Sequence, residues 1–335
     1  MTTTLTPVVK SMPRYPVLDG WRGISILCVL AAHMLPLGPK SWQLNELFAP
    51  LGMCLFFTLS GFLITNTLIY RSNVRDFLIR RFCRILPLAW AFMLVALPLA
   101  GAPPSAYAAH FLFYANLPPF WLTPLTAHLW SLCVEMYFYL GIALIFAILG
   151  QRGLLILLPA LCLAVTAGRI WQGIPISIVT YYRVDEILSG ACLALILVGR
   201  LGEYLPRFLA WVNPYLLLGL LLLACHPAII LANYLRPYLA AALVGSTLYQ
   251  SESQMLGWLK TRALIYLATV SYALYVIHPL TIHGWFESGG TIIKYGVKRP
   301  LSFLITFALA HLSTFYYEKR WITLGKRWTS KATIV

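Results

Sequence analysis

The stretch LDGWRGISILCVLAAHM, residues 18–34, has the composition of a membrane-spanning helix with one histidine near its end. Lipid offers no hydrogen bonds, so an ionisable side chain in such a helix faces a cavity or a partner. His33 is therefore the first candidate functional residue. Asp19 and Arg22, three residues apart at the start of the stretch, are expected to pair with each other or with a neighbouring helix.

The composition of the chain predicts a polytopic membrane protein. Its 335 residues are 60% hydrophobic and 10% charged, with a mean hydropathy of +0.78. Soluble domains are about 45–50% apolar and about 25% charged. The net charge of +15 comes from basic residues between apolar segments. The positive-inside bias of membrane proteins explains this charge without a nucleic-acid partner.

Apolar segments predict an all-α fold with ten transmembrane helices, since a spanning helix needs about 20 such residues. The segments are 20–37, 46–69, 84–102, 128–149, 153–168, 184–200, 208–224, 227–249, 263–285 and 301–319. The segment 103–127, rich in proline and aromatic residues, predicts an irregular outer or re-entrant loop. Most basic residues then fall on one side, which predicts two cytoplasmic termini. Residues 1–335 are expected to form one membrane domain with cytoplasmic tails at 1–17 and 320–335.

Glu135 is an unusual carboxylate because it lies inside an apolar segment. At about 1.5 Å per residue, His33 lies roughly 15 Å beyond Gly23, and Glu135 roughly 10 Å below the outer entry of its own helix. The two side chains are therefore expected to meet near the membrane midplane. A paired carboxylate would fix the tautomer of the imidazole and raise its basicity, as in a general base. The alternative is a structural hydrogen bond between helices. Ser131, one turn before Glu135, is expected to orient it.

The run RRFCRILP, residues 80–87, places arginines at the cytoplasmic end of the third segment. Because Arg84 is four residues after Arg80 and three after Arg81, the three share one helix face. Such a cluster suits bidentate binding of phosphate, and it equally suits a positive-inside anchor at lipid headgroups. Ser60, in the second segment, is expected to bond to its own helix backbone and is a weak candidate nucleophile.

The remaining histidines and the seven cysteines show no metal-ligand spacing, so no metal site is predicted. Structural or interfacial roles are expected for most of these histidines. His278 and His283, near the outer end of the ninth segment, are candidates for contact with a substrate.

Five motifs in order along the chain resemble the acyltransferase-3 family of integral membrane O-acyltransferases. They are LDGWRGI at 18–24 with His33, FFTLSGFLI at 56–64, RRFCRILP at 80–87, HLWSLCVEMYFY at 128–139 and YRVD at 182–185. Trp21, Cys133 and Met136 depart mildly from the family pattern, and no charged motif residue is lost. The resemblance covers nearly the whole chain without the extracellular hydrolase-like domain that is fused to some members.

The resemblance implies a multi-pass enzyme of the bacterial inner membrane that transfers an acyl group, most often acetyl, to a hydroxyl. The donor would be acyl-CoA, with its phosphates on Arg80, Arg81 and Arg84, and no cofactor would be bound permanently. The acceptor would be a carbohydrate or another envelope or secreted molecule. His33 would act as base with Glu135 as its partner, and a transient acyl-histidine is the alternative mechanism. The supporting residues would be Asp19, Arg22, Ser60, Ser131, Arg183 and Asp185.

A proton-coupled transporter or exporter of an envelope component is the competing function. Intramembrane His, Glu and Arg side chains relay protons in such proteins. However, the sequence shows no pair of halves with matching broken helices, which many transporters carry. The ordered motifs favour the acyltransferase.

Overall fold

The computed structural model describes residues 15–330, and over that range it consists of helices and connecting turns without a strand. The α-helices are α1 (Pro16–Met34), α2 (Leu44–Arg71), α3 (Val74–Leu99), α4 (Pro104–Phe111), α5 (Trp130–Trp171), α6 (Thr180–Arg183), α7 (Asp185–Leu197), α8 (Tyr204–Trp211), α9 (Pro214–Cys225), α10 (Arg236–Tyr249), α11 (Arg262–Ile277), α12 (Thr291–Ile293), α13 (Arg299–Leu312) and α14 (Lys319–Ser330). Two π turns, Lys294–Lys298 and Ser313–Glu318, join the last three helices into one helical run. The predicted all-α class is confirmed.

Five helices of the described range are long and apolar enough to cross a membrane. They are Pro16–Met34, Leu44–Tyr70, Val74–Leu99, Ala127–Trp171 and Arg262–Thr281. A pair of helices bent by 95°, Tyr204–Trp211 and Pro214–Cys225, raises the number to six if the pair is one span. The count of ten crossings and the cytoplasmic location of both termini stay predictions.

Helix α5 joins two of the predicted segments, 128–149 and 153–168. Its 42 residues would extend about 63 Å if straight, which is twice the thickness of a hydrocarbon core of about 30 Å. Gly150 breaks the helical geometry between the two parts with φ 61° and ψ −155°. Such a positive φ costs glycine little because it has no Cβ. Helix α5 therefore has the length of two crossings joined at Gly150.

The prediction of an irregular segment at 103–127 is wrong for its first part. Pro104–Phe111 forms helix α4, with proline at the first helical position. Proline is tolerated there because its missing N–H would have no partner inside the helix. No helix forms between Leu112 and Thr126, where the prediction of irregular backbone is correct.

The core of the bundle depends on close contact between α2 and α7. A Cβ on Gly61 would lie 1.8 Å from the carbonyl oxygen of Ile187, and one on Gly190 would lie 2.0 Å from that of Thr58. Small residues that let backbones approach in this way are typical of helix packing in membranes. These contacts hold α2 beside the first turns of α7.

The last helix brings the end of the chain to the arginine cluster of α3. Helix α14 packs against α3, with Gly325 beside Cys83. The segment predicted as a cytoplasmic tail is thus helical as far as Ser330. Residues 1–14 and 331–335, which include most of the predicted N-terminal tail, lie outside the described residues.

Candidate functional site

Three cavities follow one another through the bundle and share lining residues at each junction. The arginine cavity, about 300 Å³, is lined by Arg80, Arg81 and Arg84. The central cavity, about 70 Å³, shares Arg81 and Arg84 with it. The histidine cavity, about 640 Å³, contains His33 and shares Met53 and Tyr275 with the central cavity. The cluster of cations and the intramembrane histidine thus lie at opposite ends of one series.

The first turns of α3 carry the arginine cavity. Asn73 caps the helix, because its side chain accepts a hydrogen bond of 3.0 Å from the backbone N–H of Asp76. The guanidinium of Arg81 lies 5.9 Å from the ring centroid of Phe77 and 6.0 Å from that of Tyr139. These aromatic faces hold the side chain of Arg81 between the arginine and central cavities.

Helix α14 adds a further cation that the sequence did not single out. Lys326 lines the arginine cavity together with Ile322. The Nε of Arg80 donates a hydrogen bond of 2.9 Å to the Oγ1 of Thr329, which fixes α14 to α3. The cavity therefore holds four cationic side chains and one carboxylate, that of Asp76. This arrangement favours an anionic ligand.

The central cavity contains Glu135, whose neighbours there do not include the predicted partner His33. The hydroxyl of Tyr139, one turn further along α5, donates a hydrogen bond to the Glu135 carboxylate. Arg22 lines the same cavity, and the charge of Glu135 interacts with those of Arg22 and Arg81. The carboxylate thus lies among cations and hydroxyls.

Two predicted supporting serines also line the central cavity. Ser60 is buried within α2. The hydroxyl of Ser131 lies 2.6 Å from the hydroxyl of Tyr275 and 3.2 Å from the backbone carbonyl oxygen of His128. Ser131 therefore bonds toward the histidine cavity, whereas the sequence predicted an orienting bond to Glu135.

His33, in the last turn of α1, lines the histidine cavity, and its hydrogen-bond partner is a second histidine. Its Nδ1 lies 3.0 Å from the Nε2 of His278, and the two rings are nearly parallel, at 11°, with centroids 5.2 Å apart. The predicted partner, Glu135, lies further along α5, in the central cavity. From that part of the chain, His128, just before α5, lines the cavity of His33, with its ring centroid 5.4 Å from that of His278. His128 precedes Glu135 by seven residues, or about two helical turns, so the depth predicted for Glu135 was wrong by roughly 10 Å.

Sequence reasoning missed the cluster formed by His33, His128 and His278. The imidazole of His128 is buried against Phe92 and Tyr275, and neither of its ring nitrogens has a hydrogen-bond partner among residues 15–330. One signal was available. All three histidines fall at or near the outer ends of predicted segments, the first, fourth and ninth.

The fifth motif contributes one cavity residue and one residue of a buried ion network. Asp185, at the start of α7, is paired with Arg169 of α5, and both side chains are fully buried. Arg183 lies 3.2 Å from the carboxylate of Glu186 and over the ring of Trp130, and it lines the histidine cavity. Buried charges require such partners. Arg183 therefore reaches the cavity, whereas Asp185 holds α5 to α7.

The positions of Asp19 and of possible metal ligands complete the comparison with the sequence. Asp19 lies in the first turn of α1, three residues before Arg22. Among residues 15–330, no group of three His, Cys, Asp or Glu side chains could hold a metal ion.

Comparison with known proteins places the chain in a family. A family model described as an acyltransferase domain, that of the acyltransferase-3 family, matches residues 15–318. The "Putative peptidoglycan O-acetyltransferase YrhL" of Bacillus subtilis (strain 168) is 28% identical, over 96% of this chain and 57% of its own length. The "Peptidoglycan O-acetyltransferase OatA" of Listeria monocytogenes is 28% identical over 57% of this chain and 36% of its own length. "Nodulation protein 10" of Rhizobium leguminosarum bv. viciae is 25% identical over 73% of this chain and 76% of its own length.

The chain spans about half or less of the length of the first two relatives. No solved structure matches it. The family match covers nearly all of the described residues, including every residue placed above in the central and histidine cavities. The chain therefore belongs to the acyltransferase-3 family, as its motifs had indicated.

Proposed function

We propose that the protein is an O-acetyltransferase of the bacterial inner membrane that moves an acetyl group from acetyl-CoA to a hydroxyl of a cell-envelope carbohydrate. The observation that carries this proposal is the series of three cavities, with cations at one end and His33 at the other. Membership of the acyltransferase family supports the reaction type. The names of two relatives, which specify peptidoglycan O-acetylation, support a carbohydrate acceptor.

The donor would enter at the arginine cavity. The phosphates of CoA would bind Arg80, Arg81 and Arg84, whose guanidinium forks suit phosphate oxygens. The uncharged pantetheine arm would pass through the central cavity, which shares lining residues with the other two. Along α1, Arg22 and His33 are eleven residues apart, or roughly 16 Å, a distance comparable to the length of that arm. The thioester would thus reach the histidine cavity while the nucleotide stays at the other end.

The reaction at His33 would be acyl transfer by general base catalysis. The imidazole takes the proton from the acceptor hydroxyl as its oxygen attacks the thioester carbonyl carbon. The carbon–sulfur bond then breaks, and the proton passes from the imidazolium to the leaving thiolate. A positioned base of this kind contributes about 10²–10⁴-fold in rate. An acyl-histidine intermediate would use the same imidazole as nucleophile, and the thiolate would again be the leaving group.

Glu135 has a different role in this proposal from the one predicted. It lies in the central cavity beside Arg22 and Arg81, and Tyr139 donates to it. Its carboxylate would balance the charge of the two arginines where the uncharged pantetheine passes. His33 would instead depend on His278.

Turnover of the purified protein tests the proposed function. The protein in detergent is given acetyl-CoA labelled in the acetyl group and a carbohydrate acceptor, and release of CoA and transfer of label are measured. His33→Ala should abolish transfer. The pair Arg81→Ala and Arg84→Ala should raise KM for acetyl-CoA strongly and KM for acetyl-pantetheine, which lacks the nucleotide phosphates, far less.

Lys40→Ala is the matched control. Lys40 is an exposed cation in the short helical turn after α1, and it lines none of the three cavities. The proposed function is wrong if the folded protein neither transfers nor hydrolyses the acetyl group. Substrate flux across proteoliposomes without acetyl transfer would favour the transporter instead.

A further inference from the structure

We propose that His278 is a positioning residue that fixes the tautomer of His33, so that Nε2 of His33 carries no proton and serves as the base. This inference rests on the proposed function, since it concerns how His33 is prepared for acyl transfer. Three groups carry it: a backbone carbonyl of α11 and the two hydrogen-bonded imidazoles.

The positions of the protons on the two imidazoles follow from the backbone carbonyl to which His278 is bonded, because a carbonyl can only accept a hydrogen bond. Nδ1 of His278 lies 2.8 Å from the carbonyl oxygen of Tyr275. A carbonyl has no proton, so Nδ1 of His278 must donate. A neutral imidazole has one donor and one acceptor nitrogen, so Nε2 of His278 accepts. Nδ1 of His33, 3.0 Å away, must then donate to it, and Nε2 of His33 is left without a proton.

The local sequence makes the Tyr275 carbonyl available. In a continuing α-helix this carbonyl would accept from the backbone N–H four residues later. That residue is Pro279, which has no N–H. The carbonyl therefore has an open position at the end of α11, and the ring of His278 fills it. The dipeptide His278-Pro279 thus supplies both the imidazole and its anchor.

The surroundings of the pair keep His278 neutral. Its side chain is 1% exposed, and its ring neighbours are His33, His128 and Tyr275. The described residues that line this cavity include four histidines and Arg183 but no carboxylate. A buried charge without a partner of opposite sign is costly. A protonated His278, which would reverse the direction of the bond to His33, is therefore disfavoured.

Exposure separates the roles of the two rings. His33 is exposed to the histidine cavity, whereas His278 is buried behind it. Because Nδ1 of His33 is bonded to His278, the nitrogen left for a substrate is Nε2. Without an acceptor at His278, the proton of His33 would be free to move to Nε2, and the fraction of enzyme with a competent base would fall. Fixing a tautomer in this way is how a triad aspartate serves its histidine.

Nitrogen NMR of the protein with 15N-labelled histidine tests the tautomer directly. The His33 signals are assigned by their loss in His33→Gln. We expect a protonated Nδ1 and an unprotonated Nε2 in the wild-type protein. In His278→Leu, which keeps the bulk but removes the acceptor, we expect the Nε2 proton to become populated. A wild-type His33 protonated on Nε2 would overturn the inference.

Kinetic measurements on His278 variants are the second test of the positioning role. His278→Leu should lower kcat at least about tenfold with KM for acetyl-CoA nearly unchanged, but by less than the 10²–10⁴-fold expected for loss of the base itself. His278→Gln offers an amide oxygen in place of Nε2 and should recover most of kcat. Equal loss in the Leu and Gln variants, or wild-type kcat in the Leu variant, would contradict the positioning role.

His110→Gln is the matched control for losing a buried histidine. His110 is also hydrogen-bonded through both ring nitrogens, to Ala106 and Thr126, but lines none of the three cavities. It should lower stability without changing kcat of the folded fraction. If the wild-type protein shows the expected tautomer yet turns over no acetyl-CoA, the proposed function fails and the tautomer assignment survives.

Discussion

At the scale of single residues, Tyr275 joins the two parts of the candidate site. Its side chain lines both the central and the histidine cavities, and its hydroxyl donates to the backbone carbonyl of His128 at 2.5 Å. Its own carbonyl anchors His278. One residue of α11 thus fixes the positions of His128, Ser131 and His278 relative to one another. Glu135 and His33 lie on either side of this residue, in different cavities.

Replacement of Glu135 by Gln separates its two proposed roles. Gln keeps an acceptor for the Tyr139 hydroxyl but removes the negative charge among the arginines. The variant should therefore lower kcat/KM for acetyl-CoA by up to about tenfold, from the difference of about 1 kcal/mol between hydrogen bonds to charged and to neutral groups. The midpoint of the pH profile of kcat should not move, since His33 has His278 as partner. A shift of that midpoint by one pH unit or more would instead support direct pairing with His33. Tyr139→Phe, which removes only the donor to Glu135, is the matched comparison.

The sequence singles out His33 and Glu135 as candidates because an ionisable residue in an apolar segment is conspicuous by itself. It could not predict their partners. A depth counted in residues was wrong here by seven residues, or roughly 10 Å, so the sequence placed Glu135, and not His128, near the pair of His33 and His278. The free carbonyl that holds His278 depends on where α11 ends, and such boundaries are hard to derive from sequence.

At the scale of elements, α14 extends the proposed donor site. Replacement of Lys326 by Ala should raise KM for acetyl-CoA up to about fivefold, since an exposed ion pair contributes about 0.2–1 kcal/mol. KM for acetyl-pantetheine should not change, because that donor has no nucleotide phosphates. Lys319→Ala is the control, since Lys319 is exposed on the same helix but lines none of the three cavities. Equal effects of the two variants on both donors would remove Lys326 from the site.

The contact between α2 and α7 should be intolerant of any side chain. In Gly61→Ala the new Cβ would meet the carbonyl oxygen of Ile187, so the helices must separate. We expect a loss at the upper end of the range of about 1–3 kcal/mol for overpacking, or more, measured as a lower Tm in detergent. Gly141→Ala is the control. Apart from its chain neighbours and its own helix backbone, no atom of the described residues would lie within 4 Å of the Cβ that this substitution adds. A Tm of Gly61→Ala as high as that of Gly141→Ala would contradict the close approach.

The elements show where hydropathy is informative and where it is not. Helix α2 was predicted to within two residues at each end because its apolar signal is strong. Helix α3 begins ten residues before the predicted segment, because its first turns carry charged residues. Helices α7 and α10, with 13 and 14 residues, are shorter than the predicted segments 184–200 and 227–249. Hydropathy does not show where an apolar segment stops being helical. The amphipathic α14 was missed because it has no apolar run.

At the scale of the whole molecule, the order of the cavities implies a direction. Arg22 lies near the start of α1 and His33 near its end, and the cavities follow the same order. Under the proposed function, donor and acceptor would therefore approach from opposite ends of the bundle. The acetyl group would cross most of the membrane on the pantetheine arm, and CoA would leave by the end at which it entered.

Transfer across proteoliposomes of known orientation tests this central claim most directly. Labelled acetyl-CoA is placed only on the side of the arginine cavity and the carbohydrate acceptor only on the other side, with His33→Ala as the inactive control. We predict that label is recovered on the acceptor and that CoA accumulates on the side where the donor was supplied. Transfer that occurs only when donor and acceptor are on the same side, or only with the donor on the side of the histidine cavity, would contradict the claim.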